Sequence, residues 1–585
     1  MTTLHLIDYA VLLFYLVLVV GVGFYFRRFV KGGRDFFVAG NLMPWWVAGL
    51  SVFMGQFTAW TFTGAAGMVY KHGTTVMVCF MTALAGYLFA AFVMAPRWRR
   101  SRVLTPVQFL RQRYSPETIK VFAWFLCVLT FLSSGIALTA LSKFFSAYVH
   151  LSPDVLLNVD LLILVSGFVV LVYTFTGGMW AASFNDVVQF IILLIATVFV
   201  VPLALAQVGG LRGLIAHLPA GHLSPVDPRG LFDPYGFKSI VYIFGWMIML
   251  ATAANSEKAA QRYFSVPDER HARNAALVAG FAFFLAPILF FIPPLVATIT
   301  HPELASRPEL LDTAYAVVAR DVLPVGMIGM MLAAMAAATM STIDSAVNMI
   351  AGILSRDIIQ PRLKKVGDDA HLLALGKTLT LILGVGAIVV AILVNHGFKT
   401  VFDALTKVWS WGGLSYAVPV ILGLLAARTS KWAALVVLPV GTVTAVICTE
   451  VFKFQPYGYT VPIVLIVSLA TFFGSRLFYR RGRDPEYDAN VDALFSELKQ
   501  PVNFAEEVER FAPPGAKGPS SLGLTGVCTT LIGAMLGLVA VMEPVAGDRP
   551  VLAAAAGALV ATGLVMWWYA WRGARATPAK VNTEG

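Results

Sequence analysis

The chain has 585 residues, of which 58% are hydrophobic and 13% charged, with a formal net charge of +11. Water-soluble domains use about 25% charged residues, so this composition and the mean hydropathy of +0.76 exclude a soluble globule. The positive charge does not indicate nucleic acid, because Lys and Arg gather in alternate short loops, where orientation in a membrane explains them.

Apolar runs long enough to cross a bilayer, about 20 residues each, fall at 7–26, 44–70, 76–96, 119–149, 155–175, 178–205, 238–256, 271–300, 325–352, 374–396, 401–426, 431–452, 457–478, 522–543 and 550–572. The first run lacks a basic leader and a small-residue cleavage site, and is read as a retained span. Basic clusters follow only odd-numbered spans. They are Arg27 to Arg34, Arg97 to Arg113, Lys258 to Arg273, Arg356 to Lys365, and Arg476 to Arg483. Loops after even-numbered spans carry little charge. This alternation predicts an external N-terminus and a cytoplasmic C-terminus. Cys79, Cys127, Cys448 and Cys528 all lie in apolar runs without metal spacing, and are read as core.

The second span is interrupted. Leu50 to Gly64 places Gly55, Gln56 and several hydroxyls in an apolar run. Unwound backbone at membrane depth is tolerated only where it lines a cavity or is covered by protein. The bland alternative is a glycine-containing helix packed on its neighbours. The seventh span, Tyr242 to Asn255, is short, with Gly245 near its start and Thr252 and Asn255 near its end. Interrupted spans at matching places in two halves point to an inverted-repeat transporter. Spans two to six and seven to eleven are then two five-helix repeats.

In the ninth span Ala338, Ser341, Thr342 and Ser345 recur at helical spacing and share one face. Small hydroxyl residues in a membrane helix often only allow close packing. Asp344 in the same stretch raises a second reading, because an acid in an apolar span usually faces a partner, a cavity or an ion. Hydroxyl, carbonyl and carboxylate oxygens suit a hard cation.

Three stretches together resemble the sodium:solute symporter family. Asp35-Phe36-Phe37-Val38-Ala39-Gly40 precedes the interrupted span. Gly177-Gly178-Met179-Trp180-Ala181-Ala182-Ser183-Phe184-Asn185-Asp186-Val187-Val188-Gln189 opens the sixth. Ala338-Thr339-Met340-Ser341-Thr342 lies in the ninth. The resemblance covers about residues 1–480 and implies an all-α polytopic membrane protein. Its fold would be leucine-transporter-like: two inverted five-helix repeats plus one N-terminal and about four C-terminal spans. The expected divisions are 1–43 (first span and cytoplasmic loop), 44–207 (first repeat), 208–237 (external loop) and 238–426 (second repeat). They continue with 427–478 (two spans), 479–521 (cytoplasmic linker) and 522–585 (terminal span pair and tail).

The resemblance implies a main sodium site formed by the carbonyls of Met54, Phe57 and Ala338 and the hydroxyls of Ser341 and Thr342. It also implies a second cation site at Asp186, Ser341, Asp344 and Ser345. Asp344 stands where some relatives have Ser, and it could tighten a second sodium site or make it a proton site. Candidate solute contacts are Gln56, Thr58, Trp60, Thr61, Trp246, Asn255, Trp409, Ser415 and Tyr416, although the tryptophans could equally be interfacial anchors. Lys143 and Lys407 lie near span ends and are read as snorkelling. Either one, if it reached the cavity, would favour a carboxylate or amino-acid-like solute.

The implied activity is sodium-coupled symport of a small organic solute by alternating access in the plasma (inner) membrane. A solute-binding sensor without net transport is the alternative. No enzyme is expected, since the chain has no Gly-rich phosphate loop, metal-ligand cluster or nucleophile elbow. No cofactor is expected beyond the coupling ion, sodium or alternatively a proton. The expected partners are the solute, sodium and the lipid bilayer, without nucleic acid.

Overall fold

The structure is a computed structural model that describes residues 4–27, 38–103, 106–174, 179–226, 239–354, 359, 369–454, 459–507, 521–542 and 549–575. All regular structure among the described residues is helical, and each of the fifteen predicted spans contains helix. Ten helices are long and apolar enough to cross a membrane, or eleven if one bent pair counts as a span. The remaining spans escape that test for visible reasons. Leu6–Val22 and Val155–Leu171 are apolar but short, and Trp45–Met54 is the first half of a broken helix. Val401–Gly423 is diluted by Asp403, Lys407 and the Trp, Ser and Gly residues of its middle. Asp35 to Phe37, Gly177 and Gly178 lie outside the described residues.

The first predicted interruption is real. Trp45–Met54 stops at Gly55, and Gln56 to Thr58 have no helical ladder. The chain then passes a π-helical stretch, Thr61–Ala65, into Ala66–His72. Breaks of this kind free backbone carbonyls that otherwise bond within the helix. Ile240–Ala254 also breaks, at Asn255 and Ser256, and resumes as Glu257–Phe264 with a bend of 40°. Asn255 ends it by donating from Nδ2 to its own helix at Ala251 O, 2.8 Å.

This second break corrects the loop reading. Lys258 and Arg262 are not in a cytoplasmic loop. They sit on the resumed half of the broken helix, and Arg262 is only 2% exposed. The basic loop proper is left with Arg270 and Arg273 at the start of Glu269–Phe290.

The two broken helices are held between long neighbours. Glu269–Phe290 packs on Trp45–Met54, and Thr74–Arg100 packs on Ile240–Ala254. Both contacts need glycine. A Cβ on Gly49 would stand 2.7 Å from Ala275 O, and one on Gly86 would stand 2.5 Å from Ala251 Cα. Met327–Ile353 runs through the centre against Met179–Gln207, Pro116–Ser146 and Leu6–Arg27. Its N-terminus is capped from another helix. Asp8 Oδ1 accepts from Gly326 N at 2.7 Å and from Gly329 N at 2.8 Å, satisfying donors that a helix leaves open.

Two further departures concern the ends of spans. The segment after the eighth span is built rather than loose, with short helices at Pro302–Ser306, Pro308–Thr313 and Ala314–Val322. Its Asp312 accepts from Lys143 Nζ at 2.8 Å and from Val401 N at 3.0 Å. Lys143 therefore does not snorkel, because a buried carboxylate partner is nearer than water. Lys407 pairs with the half-exposed Glu450 at 2.7 Å. On the other side, Pro485–Lys499 docks on the bundle, where the fully buried Arg113 donates to Tyr487 Oη at 2.6 Å. Ser521–Met542 and Arg549–Arg575 pack chiefly on each other.

Candidate functional site

Between the two breaks lies a cavity, where ≈ 1070 Å³ is free of protein atoms when the open space at its mouth is included. The first break supplies Gly55, Gln56, Phe57 and Thr58 to its wall, and Trp60 and Thr61 follow one turn later. The second broken helix supplies Trp246 and Ala253, and the central helix supplies Thr342. Gln56 ties the two breaks together by donating from Nε2 to Ala253 O at 3.1 Å. Among the described residues its side-chain oxygen has no donor and can accept.

Aromatic rings close one side. Trp60 stacks on Phe80 and Phe402 at centroid distances of 5.9 and 5.8 Å, and Trp246 meets the same two rings at 5.7 Å each. All four lie in the halves of their spans remote from the basic clusters. Such rings bury large apolar area and pack in preferred geometries.

The opposite side is polar. Ala59 N donates to Thr339 Oγ1 at 3.1 Å, which fastens the first break to the 338–342 stretch. Thr342 Oγ1 donates to Ala338 O at 3.0 Å. Met54, Phe57, Ala338 and Ser341 are all at least 98% buried beside it. Ser341 donates to Asp186 Oδ1, so its oxygen lone pairs stay free for a cation.

Asp186 is the hub of this region and is fully buried. Ser51 Oγ donates to its Oδ2 at 2.5 Å, and Arg262 Nη2 stands 3.7 Å from the same oxygen. Arg262 Nε donates to Ser51 Oγ at 3.1 Å, and the guanidinium also lies within electrostatic reach of Asp344. Arg262 offsets Asp186, and the Asp186, Asp344 and Ser341 oxygens gathered in this buried region are ligands of the kind that suit an added cation. The backbone of Ser345 continues this helix, but its side chain lies outside the described residues.

Six of the nine candidate solute contacts line the cavity: Gln56, Thr58, Trp60, Thr61, Trp246 and Trp409. Asn255 stays at the break, bonded to its own helix. Ser415 and Tyr416 do not reach the cavity. They lie about 9 and 10.5 Å further along the helix than Trp409 at its rise per residue. Tyr416 packs on Phe122 and Phe125, at 5.2 and 6.4 Å, and Ser415 faces Gly441 in the packing of the later spans.

Several lining residues escaped the sequence reading. Tyr87, Ser133, Ser134 and Thr406 add hydroxyls, and Lys258 adds a cation. Lys258 also lines a smaller adjoining space with Ser51, Gly55, Arg262 and Thr342. Its ammonium makes no hydrogen bond or ion pair within reach among the described residues, and its charged neighbours are Glu257 and Arg262. The signal that could have found it was the shortness of the seventh span, which left room for a resumed helix.

The sequence model of the sodium:solute symporter family matches residues 36–441. The sodium/sialic acid symporter NanT of Aliivibrio fischeri is 24% identical over 79% of this chain and 92% of its own length. The sodium/glucose cotransporter of Vibrio parahaemolyticus is 23% identical over 80% and 91%. The pig sodium/myo-inositol cotransporter 2 is 26% identical over 65% of this chain, and the match spans only 60% of that longer protein. The fold is similar to that of a Na+-coupled sialic acid symporter in a substrate-bound outward-open state. The TM-score is 0.67 at 19% identity, covering 80% of this chain and 98% of that one. It is also similar to Mhp1, a nucleobase-cation-symport-1 family transporter, with a TM-score of 0.50 at 13% identity, covering 80% and 100%. These relatives are transporters and not enzymes, in line with the sequence. The all-α, leucine-transporter-like fold and the multi-pass membrane character agree with them, and the chain belongs to the sodium:solute symporter family.

Proposed function

We propose that this chain is a sodium-coupled symporter that moves a small, carboxylate-bearing organic solute by alternating access. The observation that carries the reading is the junction of the first helix break with Thr342 and the 338–342 stretch at the wall of a central cavity. In this reading the carbonyls of Met54, Phe57 and Ala338 and the hydroxyls of Ser341 and Thr342 replace the hydration shell of one sodium ion. The second cation site consists of Asp186, Ser341, Asp344 and Ser345, with Arg262 supplying part of the balancing charge. A sodium ion there is favoured over a proton because the hydroxyl oxygens offer ligands as well as charge.

The solute lies between Gln56, Thr58, Thr61 and the rings of Trp60, Trp246 and Trp409. The carboxylate preference no longer leans on Lys143 or Lys407, which pair elsewhere. It rests on Lys258, a cation at the cavity wall without a close acceptor among the described residues. One relative is named for an acid, sialic acid, and others for the neutral glucose and myo-inositol.

The aromatic cluster is the outer closure, and the Asp186–Arg262–Ser51 network the inner one. The divisions drawn at 44–207 and 238–426 are then the two repeats that rock about the site. The plasma (inner) membrane holds the chain with its N-terminus outside. The four native cysteines are buried, so Gln500→Cys should label with an impermeant thiol reagent only from the cytoplasmic side.

The decisive experiment is uptake of labelled acids and neutral polyols into vesicles, with and without an inward sodium gradient. Gradient-driven accumulation of an acid supports the reading. Binding without accumulation makes the chain a sensor, and accumulation of polyols alone removes the role of Lys258.

A further inference from the structure

A second, open cavity lies at the level where the basic loops begin, with ≈ 1520 Å³ free of protein atoms when the adjoining open space is included. It is built where four elements meet: the end of Thr74–Arg100, the start of Glu269–Phe290, the end of Val401–Gly423 and the docked helix Pro485–Lys499. Its wall carries five cations, Arg97, Arg100, Arg270, Arg273 and Lys499, against one carboxylate, Glu269. Glu269 is already committed, since Arg100 donates to its Oε1 from Nε and Nη2 at 3.2 and 3.0 Å, and Val502 N to Oε2 at 3.3 Å. Arg97 donates to Val93 O at 2.7 Å. Among the described residues the side chains of Arg270, Arg273 and Lys499 have no hydrogen-bond or ion-pair partner, and all three are exposed.

Charge alone would suit any soluble anion. The remaining wall distinguishes one. Ala91, Phe92, Leu424 and Leu425 are apolar, and Phe92 is 63% exposed. The same helix presents exposed Leu88 and Phe89 beside it, and Glu269–Phe290 presents Phe281 and Leu285. These two helices therefore continue the cavity into faces of the kind that meet acyl chains. A charged head compartment opening on an apolar flank is the form of a basic interhelical lipid site.

We propose that this cavity binds the headgroup of an anionic phospholipid from the leaflet on the side of the basic loops. Its phosphate lies among Arg270, Arg273 and Lys499, and its acyl chains lie along Phe92. Guanidinium groups suit phosphate oxygens by bidentate hydrogen bonding. Because Lys499 belongs to the docked helix and Arg273 to the bundle, the bound lipid links the 485–507 segment to the transport core.

The test uses the full-length chain purified into nanodiscs of phosphatidylcholine, alone or with phosphatidylglycerol. The lipid retained after release into detergent is read by native mass spectrometry, and the thermal midpoint is followed in parallel. Wild type should retain phosphatidylglycerol and melt higher with it. Arg270→Gln/Arg273→Gln should weaken retention by about tenfold or more and lose the midpoint shift, while melting like wild type in phosphatidylcholine alone. Arg480→Gln/Arg483→Gln removes the same charge from the same side outside the cavity and should retain the lipid. Equal loss in both double variants would reduce the effect to surface charge and overturn the proposal. Unchanged retention in Arg270→Gln/Arg273→Gln would overturn it too, as would inorganic phosphate raising the midpoint as far as phosphatidylglycerol does.

Discussion

The two broken helices occupy corresponding places in the two repeats, yet they carry opposite chemistry. The first break, Gly55 to Thr58, holds no charged side chain and offers carbonyls and an amide. The second is followed at once by Glu257 and Lys258, and one turn later by Arg262. One break is suited to receive a cation. The other brings positive charge to the central cavity and to a buried carboxylate. A shared topology therefore fixes where the breaks sit, and the side chains at each break set the sign of the charge it presents.

The comparison breaks most sharply at Arg262. Arg262→Gln leaves Asp186 buried without its cation, and losses of that kind cost about 3–5 kcal/mol. Folded yield and thermal midpoint should fall steeply, and Asp186→Asn/Arg262→Gln should recover most of the loss. A stable single variant would show that the pair does not govern this region.

The cation side comes next. Ser341→Ala and Thr342→Ala should each raise the sodium concentration for half-maximal uptake about tenfold, roughly the value of one charge-assisted hydrogen bond. Ala preserves the helix, so normal expression with unchanged sodium dependence would assign the stripe to packing.

On the opposite break, Lys258→Gln should raise KM for an acidic solute about tenfold, the scale of one charge-assisted contact. The sodium half-saturation should stay as in wild type. Parallel changes in both parameters would mean that the two breaks do not divide the work by charge.

A smaller effect is expected at Asp344. Asp344→Asn should lower the Hill coefficient for sodium if that carboxylate helps to hold a second ion. An unchanged coefficient with lost pH dependence would assign it to a proton, and a profile identical to wild type would make it structural. The smallest effect is expected far from both breaks. Asp8→Asn weakens the cap of the central helix and should cost about 1 kcal/mol, visible as a modest drop in thermal midpoint with unchanged sodium dependence.

The spans were legible because bilayer thickness sets a length that apolar runs must meet, and the first break because Gly55 and Gln56 interrupt such a run. The second break was legible only by halves. Its first part read as a short span, while Glu257–Phe264 is polar enough to pass for a loop. Hydropathy registers what faces lipid, and that segment faces protein. The same blindness hid Lys143, whose partner Asp312 lies 169 residues away, and the docking of Arg113 under the 485–499 helix.

What was readable from the sequence by itself was where the apolar helices run, the place of the first break and the face shared by Ala338, Ser341 and Thr342. Each depends on local spacing along one chain segment, and the periods of helix and bilayer make that spacing readable. Tertiary structure alone decided which polar groups meet. It joined Asp186 to Arg262 and Ser51, turned Lys258 toward the cavity and withdrew Ser415 and Tyr416 from it. Those outcomes depend on how helices from distant parts of the chain pack against one another, and the energy of a buried charge is set by the partner that packing supplies.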